Sequence, residues 1–375
     1  MLNYIIKNKL IYLLKISFLG VLLFVSNNIL LANEIYLIRE NKIYTSHSDL
    51  LKAREESKKI AFDLAFRKLL ERIIPIKDQK VIYDIQENDL NKYVSDFTIR
   101  KEDYFDKDYN ALIDVNFNPK KINALLNKYG INLSSTVSEE FLVLPIYYNL
   151  NTYFFWEKNN KWYAKLREKY KNDGLLKLYF PDLGLLNKFI ISSKEALDSE
   201  TEKFEAILKK YNKNSAIVIF FEERYDFEFE NFIGKIKLKI FTEGEFVELK
   251  LRNKKLINNI SSKSEIDLIS KLSLLELDNW WKNKITVSYK DKEELNNYLI
   301  DLKFENLGES IKIQKLLENN PFVIQLTPKR ISKNNIIYQL SSYGSLKKLR
   351  LALKSNKLEL RESEDKSTYQ LFRLN

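Results

Sequence analysis

Cysteine is absent from this chain of 375 residues, and histidine, glycine and proline are scarce. Without cysteine there is no disulfide, no thiolate metal site, no thiol nucleophile and no cysteine to carry a lipid. The 8 Gly and 6 Pro argue against collagen-like and low-complexity chains. Stability must therefore come from packed cores, which a hydrophobic content of 45% and an aromatic content of 13% can supply.

The N-terminal segment has the layout of a secretory signal peptide. Three lysines with no acidic residue among them lead into the apolar run 16–25, and Ala32 is a small residue suited to cleavage. The run has about half of the ~20 residues needed to span a bilayer. We therefore expect residues 1–32 to be removed and the mature chain to lie in the periplasm. The alternative is an inner-membrane anchor formed by residues 10–32.

The formal net charge is +11, which favours anionic partners such as lipid headgroups, acidic glycans or nucleic acid. The lysines are interleaved with acidic residues along the chain rather than gathered in blocks. This mixing argues against nucleic-acid binding. Peripheral contact with an anionic membrane stays open, beside a protein partner in the envelope.

The order of elements predicts an α+β protein made of small tandem units. The first, residues 33–135, reads as a strand, a long amphipathic helix ended by Pro75, a hairpin, and a helix between Asn118 and Gly130. Its predicted elements are strand 34–45, helix 50–74, strands 97–103 and 109–117, and helix 118–129.

The second unit, residues 136–260, combines an α/β layer with a β-meander. The apolar runs 141–146 and 215–221 are typical of strands buried on both faces, and helices at 161–170 and 200–211 alternate with strands. From residue 225 charged and apolar residues alternate, as expected of a meander.

The alternation also predicts the register of the meander. A turn across 231–234 would pair Glu228 with Lys237 and pack Phe227 on Leu238. A second turn at Glu243-Gly244 would place Glu248 beside Lys239 and Leu249 beside Leu238.

The third unit, residues 261–375, is predicted to begin with a helix over 262–281. A strand–helix–strand–strand–helix–strand order then follows, which is that of a ferredoxin-like β-α-β-β-α-β unit. The predicted elements are strand 298–304, helix 308–317, strands 323–331 and 336–342, helix 345–354 and strand 358–361.

No stretch of the sequence carries a catalytic signature, and the sequence indicates no cofactor and no metal site. His47, the only histidine, lies in a polar turn before a helix, where a surface or capping role is expected. A carboxylate-based hydrolase acting on envelope glycans remains an alternative, because paired acids can cleave glycosides. Its candidate carboxylates are Glu157, Asp182, Glu222 and Glu223.

The four tryptophans are the candidate partner-binding residues, because aromatic side chains next to lysine can stack on sugars or bases. They are Trp156, Trp162, Trp280 and Trp281. The alternative is that they pack in the core.

Several segments in order along the chain resemble a bacterial envelope family, domain of unknown function 2066. They are the helix at 53–70, the hairpin-to-helix step at 109–119, the segments 142–146, 156–157 and 160–162, and the closing segment 343–349. The resemblance implies an exported protein of Gram-negative bacteria with no assigned activity, and it supplies no catalytic residues.

Together these patterns predict a non-enzymatic envelope protein that works by binding a partner. Exposed strand edges of stacked α+β units would suit binding by strand addition.

Overall fold

The chain is an α+β protein, and the residues that the structure describes form three β-sheets. The structure is a computed structural model that describes residues 35–83, 85, 89–131, 136–227, 230–249, 257–258, 263–286, 295–318, 320, 322–363 and 368–373. The predicted leader, residues 1–32, and its alternative as an anchor over 10–32 lie outside the described residues. Within those residues, no helix combines the length and the apolar character needed to cross a bilayer.

The first unit matches its predicted order of elements. They are β1 (Leu37–Ser46), α1 (Leu50–Ile73), β2 (Val94–Phe105), β3 (Asp108–Phe117) and α2 (Pro119–Lys128), with 3₁₀ helices at Ile76–Tyr83 and Leu90–Tyr93. The antiparallel sheet has the order β1-β3-β2. Asn118 Oδ1 accepts from Lys121 N–H at 3.1 Å, which caps α2 as expected.

His47 lies in the turn before α1, as predicted, and its side chain contacts the residue that caps the helix. Its Nδ1 accepts from the backbone N–H of Asp49 at 2.9 Å. Asp49 in turn accepts from the N–H of Leu51 at 2.8 Å, and so caps the helix itself. The histidine therefore fixes the residue that begins the helix.

The middle sheet joins parallel strands to an antiparallel meander. Its strands are β4 (Glu140–Asn149), β5 (Thr152–Phe154), β6 (Lys177–Tyr179), β7 (Ala216–Asp226), β8 (Asn231–Thr242), β9 (Glu245–Leu249) and β10 (Ile257–Asn258). Its helices are α3 (Lys161–Lys169), α4 (Ser193–Asp198) and α5 (Thr201–Tyr211), with a 3₁₀ helix at Leu185–Phe189. The order is β10-β8-β7-β4-β5, with β6 also on β4 and β9 on β8.

Helices α3 and α5 cover opposite faces of this sheet. Trp162 of α3 packs in one core with Val143, whereas Phe204 of α5 packs in another with Leu142. The chain moves from β4 to β6 on one side of β4, then crosses back to β7 on the other side. Because parallel crossovers are right-handed, opposite directions put the two helices on opposite faces.

The predicted register of the first meander hairpin is wrong. Leu238 pairs with Ile219 rather than with Phe227, and Lys237 pairs with Phe220 rather than with Glu228. Since β7 and β8 end at Asp226 and begin at Asn231, the turn lies earlier than predicted. Glu228 itself and Phe229 lie outside the described residues.

A shift by an even number of residues explains this error. Such a shift keeps every side chain on its predicted face, so the alternation of charged and apolar residues cannot detect it. The observed register packs Leu238 and Ile240 on the fully apolar run that contains Ile219, which buries more apolar surface. The second hairpin is as predicted, with Lys239 opposite Glu248 and Leu238 opposite Leu249.

Helix α6 (Lys263–Ile285) lies with the first two units, not with the C-terminal sheet. Lys282 Nζ donates to the carbonyl of Glu71 at 2.7 Å, and Asn279 Oδ1 accepts from Ile76 N–H at 3.1 Å. One core therefore runs from the first sheet through one face of the middle sheet to α6. The predicted boundaries at 135 and 260 both cross this core.

The C-terminal sheet has one strand more than predicted. Its elements are β11 (Leu295–Lys303), α7 (Leu307–Glu318), β12 (Val323–Ile331), β13 (Asn335–Tyr343), α8 (Leu346–Ser355), β14 (Leu358–Glu362) and β15 (Tyr369–Arg373). The order is β12-β13-β11-β15-β14, so β15 lies between β11 and β14, which would be neighbours in a ferredoxin-like sheet. Leu371 is the apolar residue of β15 that this insertion buries.

Candidate binding surface at the carboxyl end of the middle sheet

The predicted tryptophans do not form a partner-binding surface. Trp156, Trp162 and Trp281 are buried, and their indole N–H groups donate to backbone carbonyls at 2.9–3.0 Å. Trp280 is partly buried against Phe141, with ring centroids 6.0 Å apart. These rings belong to the cores. A buried indole N–H usually has a hydrogen-bond partner, as the three fully buried rings do here.

The two adjacent candidate carboxylates, Glu222 and Glu223, do not face each other. Glu222 and Glu223 are successive residues of a strand and point to opposite faces of the sheet. Burial raises the pKa of Glu157, but hydrogen bonds from Lys188 and from the Phe155 N–H outweigh it, and the net effect is a lowered pKa. Asp182 is exposed.

A general acid needs a raised pKa. Among the described aspartates and glutamates, each one whose pKa departs from its ordinary value has it lowered. The part of the chain that the structure describes also contains no group of three acidic or histidine side chains able to hold a metal ion.

A hydrogen-bonded polar cluster lies where the parallel strands β4 and β7 end. The Tyr147 hydroxyl donates to the Glu223 carboxylate, and Asn149 Nδ2 donates to Tyr147 Oη at 2.8 Å and to Glu223 Oε2 at 3.3 Å. The parallel register places Asn149 beside Glu223, and the ring of Tyr147 stacks on Phe221 at 5.8 Å. Ligands of α/β sheets bind at this carboxyl end of the strands.

Hydrogen bonds hold the polar groups of this cluster in place. Burial, and then the hydrogen bond to Glu223, raise the pKa of Tyr147, so this hydroxyl stays protonated. The Asn149 Oδ1 atom is buried and has no hydrogen-bond partner. An unpaired buried acceptor of this kind is costly, and it provides a position for an N–H or O–H of a bound molecule.

Two turns at this end present apolar side chains to solvent. Leu150 and Asn151 form the two-residue turn between β4 and β5, and the Leu150 side chain is 81% exposed. After β7 the Phe227 side chain is 86% exposed and packs edge-on against Tyr225, with centroids 5.1 Å apart. Since β4 and β7 are parallel neighbours, both turns leave the same end of the sheet.

The backbone at Leu150 is unfavourable for leucine. Its φ of +46° and the φ of +60° at Asn151 belong to a turn type that favours glycine and asparagine. A left-handed conformation costs an ordinary L-residue about 1–2 kcal/mol. The sequence reveals this turn only weakly, because leucine within Asn149-Leu150-Asn151 gives no glycine signal.

No protein-family model matches this chain, and the search of curated proteins returns no match. The resemblance to domain of unknown function 2066 therefore stays a prediction.

Proposed function

We propose that this chain is an exported, non-catalytic envelope protein that binds a protein partner at the carboxyl end of the middle sheet. The observation that carries the proposal is the joint exposure of Leu150 and Phe227 on adjacent turns beside the cluster of Tyr147, Asn149 and Glu223. Export rests on the leader pattern in the sequence.

The composition of this end is that of a protein-binding surface. Interfaces combine a few apolar or aromatic anchors with polar groups that fix orientation. Phe227 and Leu150 would be the anchors, and the tyrosine–asparagine–glutamate cluster would supply the directional hydrogen bonds. The unfavourable φ of Leu150 supports a functional role, since backbone strain collects at binding sites.

Binding by strand addition has weaker support. The outer edge of β2 is long and exposed, but its pairing with β3 is interrupted by bulges between Val94 and Asp96 and between Ile99 and Lys101. Bulges and edge lysines are the features that protect sheet edges from pairing with another chain.

Site-specific crosslinking in cells tests the proposal. A photoreactive phenylalanine analogue replaces Phe227 in one strain and Phe105, which is 82% exposed on the first unit, in a matched control. We expect Phe227 to give a discrete adduct with one envelope protein and Phe105 to give none. Leu150→Asn, which keeps the turn but removes the apolar anchor, should weaken the adduct, whereas Leu307→Asn at another exposed leucine should not.

Two results would contradict this function. One is the same set of adducts from positions 227 and 105, since it would show random encounter. The other is hydrolysis of cell-wall glycan by the purified chain that disappears in Glu223→Gln, since it would show catalysis at the polar cluster.

A further inference from the structure

The 3₁₀ helix Leu185–Phe189 of the middle unit has the reverse of the usual polarity. Leu185, Leu186 and Phe189 point to solvent, and Phe189 is 84% exposed, whereas Asn187 between them is 3% exposed. A short surface helix normally buries its leucines and exposes its asparagine. Here the apolar side chains form the outer surface, and we call these three residues the apolar turn.

Asn187 holds the apolar turn in this orientation. Its Nδ2 donates to the Tyr211 hydroxyl at 2.9 Å and to the Asp182 carbonyl at 3.4 Å, and its Oδ1 accepts from Lys210 Nζ at 2.5 Å. Its backbone carbonyl accepts from the N–H of Ile191 at 3.0 Å. The exposure of the turn is thus built into the fold, since a buried amide with these partners resists rotation of the segment.

The hydrogen bonds and ion pairs around the apolar turn involve three cationic side chains and two acidic residues. Lys188 lies within the turn and pairs with Glu157, and Lys210 contacts Asn187. Lys209 is exposed in the same last turn of α5. Arg167 Nη1 donates to the Tyr163 hydroxyl, which itself donates to the carbonyl of Pro181. The acidic residues that take part in these contacts are Glu157, which is paired with Lys188, and Asp182, whose carbonyl accepts from Asn187.

We propose that the apolar turn inserts into an anionic lipid surface. Peripheral proteins bind such surfaces by burying leucine and phenylalanine at the headgroup boundary while basic residues contact anionic headgroups. Leu185, Leu186 and Phe189 supply the first contribution, and the exposed Arg167, Lys209 and Lys210 supply the second. The proposal uses none of the residues of the candidate protein-binding surface, so either can fail alone.

The absence of cysteine makes a site-specific test direct. Phe189→Cys in the full chain gives a single thiol for an environment-sensitive fluorophore, and Phe105→Cys, at a phenylalanine of matching exposure, is the control. The probes are vesicles of pure phosphatidylglycerol and vesicles of pure phosphatidylcholine. We expect a blue shift, and quenching by brominated acyl chains, at position 189 with phosphatidylglycerol and no change at position 105.

Substitutions separate the apolar and the charged contributions. In the labelled chain, Leu186→Ser should weaken partitioning about tenfold, because one buried leucine is lost. Lys209→Gln, at the exposed lysine in the last turn of α5, should weaken it about fivefold at low salt and less at high salt. Thermal unfolding should be unchanged in both variants, because these side chains are exposed.

Three outcomes would overturn the proposal. The first is an equal shift at positions 189 and 105, which would show binding through another part of the chain, such as the leader. The second is an equal shift with both lipids, which would show no selection for anionic headgroups. The third is the absence of any fluorescence shift at position 189 with either kind of vesicle. A shift at this position that appears only with a purified protein partner would count in the same way.

Discussion

Single residues at the carboxyl end of the middle sheet adopt arrangements that folding stability alone would not select. Leu150 has a φ of +46° and an exposed side chain, so it incurs backbone strain without gaining burial. Asn149 keeps a buried amide oxygen with no hydrogen-bond partner. Both arrangements are unfavourable in the isolated chain, and the proposed partner would give them a use by covering this end.

The backbone at Leu150 gives a stability prediction. Leu150→Gly should raise the free energy of unfolding by roughly 0.5–1 kcal/mol, because relief of the left-handed strain exceeds the entropy that glycine adds to the unfolded chain. Urea unfolding measures this change. Asn151→Gly is the control, and its gain should be smaller because asparagine already tolerates this conformation. A loss of stability in Leu150→Gly would mean that the leucine packs in the folded chain.

At the scale of elements, the long strand β7 shows how two sequence patterns combine into one strand. Its first half is the apolar run around Ile219, and its second half is the mainly charged run 222–226. Because β8 pairs with the whole of this strand, the hairpin turn lies between Asp226 and Asn231, earlier in the chain than predicted. Phe227 therefore lies in the turn, where its side chain is exposed. The shifted register therefore creates one half of the candidate binding surface.

The register makes a prediction about the energetics of the hairpin. Leu238→Ala should destabilise the chain by about 2–5 kcal/mol, because Leu238 is fully buried against Ile219. Phe227→Ala should change stability by less than about 0.5 kcal/mol, because that ring is exposed. Thermal or urea unfolding compares the two variants. An equal loss in both would support the register with Phe227 opposite Leu238.

At the scale of the whole molecule, helix α6 ties the first and middle units together. Asp267 of α6 pairs with Lys165 at 2.9 Å and with Lys169 at 2.8 Å, and both lysines belong to α3. The C-terminal sheet also connects to this region, because Glu243 of the second meander turn lies 3.2 Å from Lys347 of α8. The predicted tandem units are thus joined through packed helices and ion pairs.

The α3–α6 ion pairs predict a pH dependence. Hydrogen bonds from Lys169 and then Lys165 lower the pKa of Asp267 from 3.8 to about 2. A lowered folded-state pKa gives a contribution that is complete above pH 3.8 and is lost as the pH falls through about 2. Asp267→Asn should reduce the acid sensitivity of unfolding in this window, whereas Asp63→Asn, at an exposed ion pair within α1, should not. Identical acid unfolding of Asp267→Asn and the unmodified chain would contradict the prediction.

The sequence by itself determined the local elements and the α+β class. Apolar residues at helical spacing identified α1, the Asn118-Pro119 pair located the start of α2, and Glu243-Gly244 identified a two-residue turn with the correct partners. These features depend on nearest neighbours along the chain, so their physical causes are visible in short windows of sequence.

Only the tertiary structure decided four features: the hairpin register, the position of β15 in its sheet, the core against which α6 packs, and the location of the candidate surfaces. An even shift of a strand, or the choice between two cores, leaves the local pattern unchanged and is settled by the total apolar surface that the fold buries. The tryptophans illustrate this limit, because residue type predicts both a core ring and a binding ring. The exposure of Leu150, Phe227 and Phe189 follows instead from which neighbouring elements remain available to cover them.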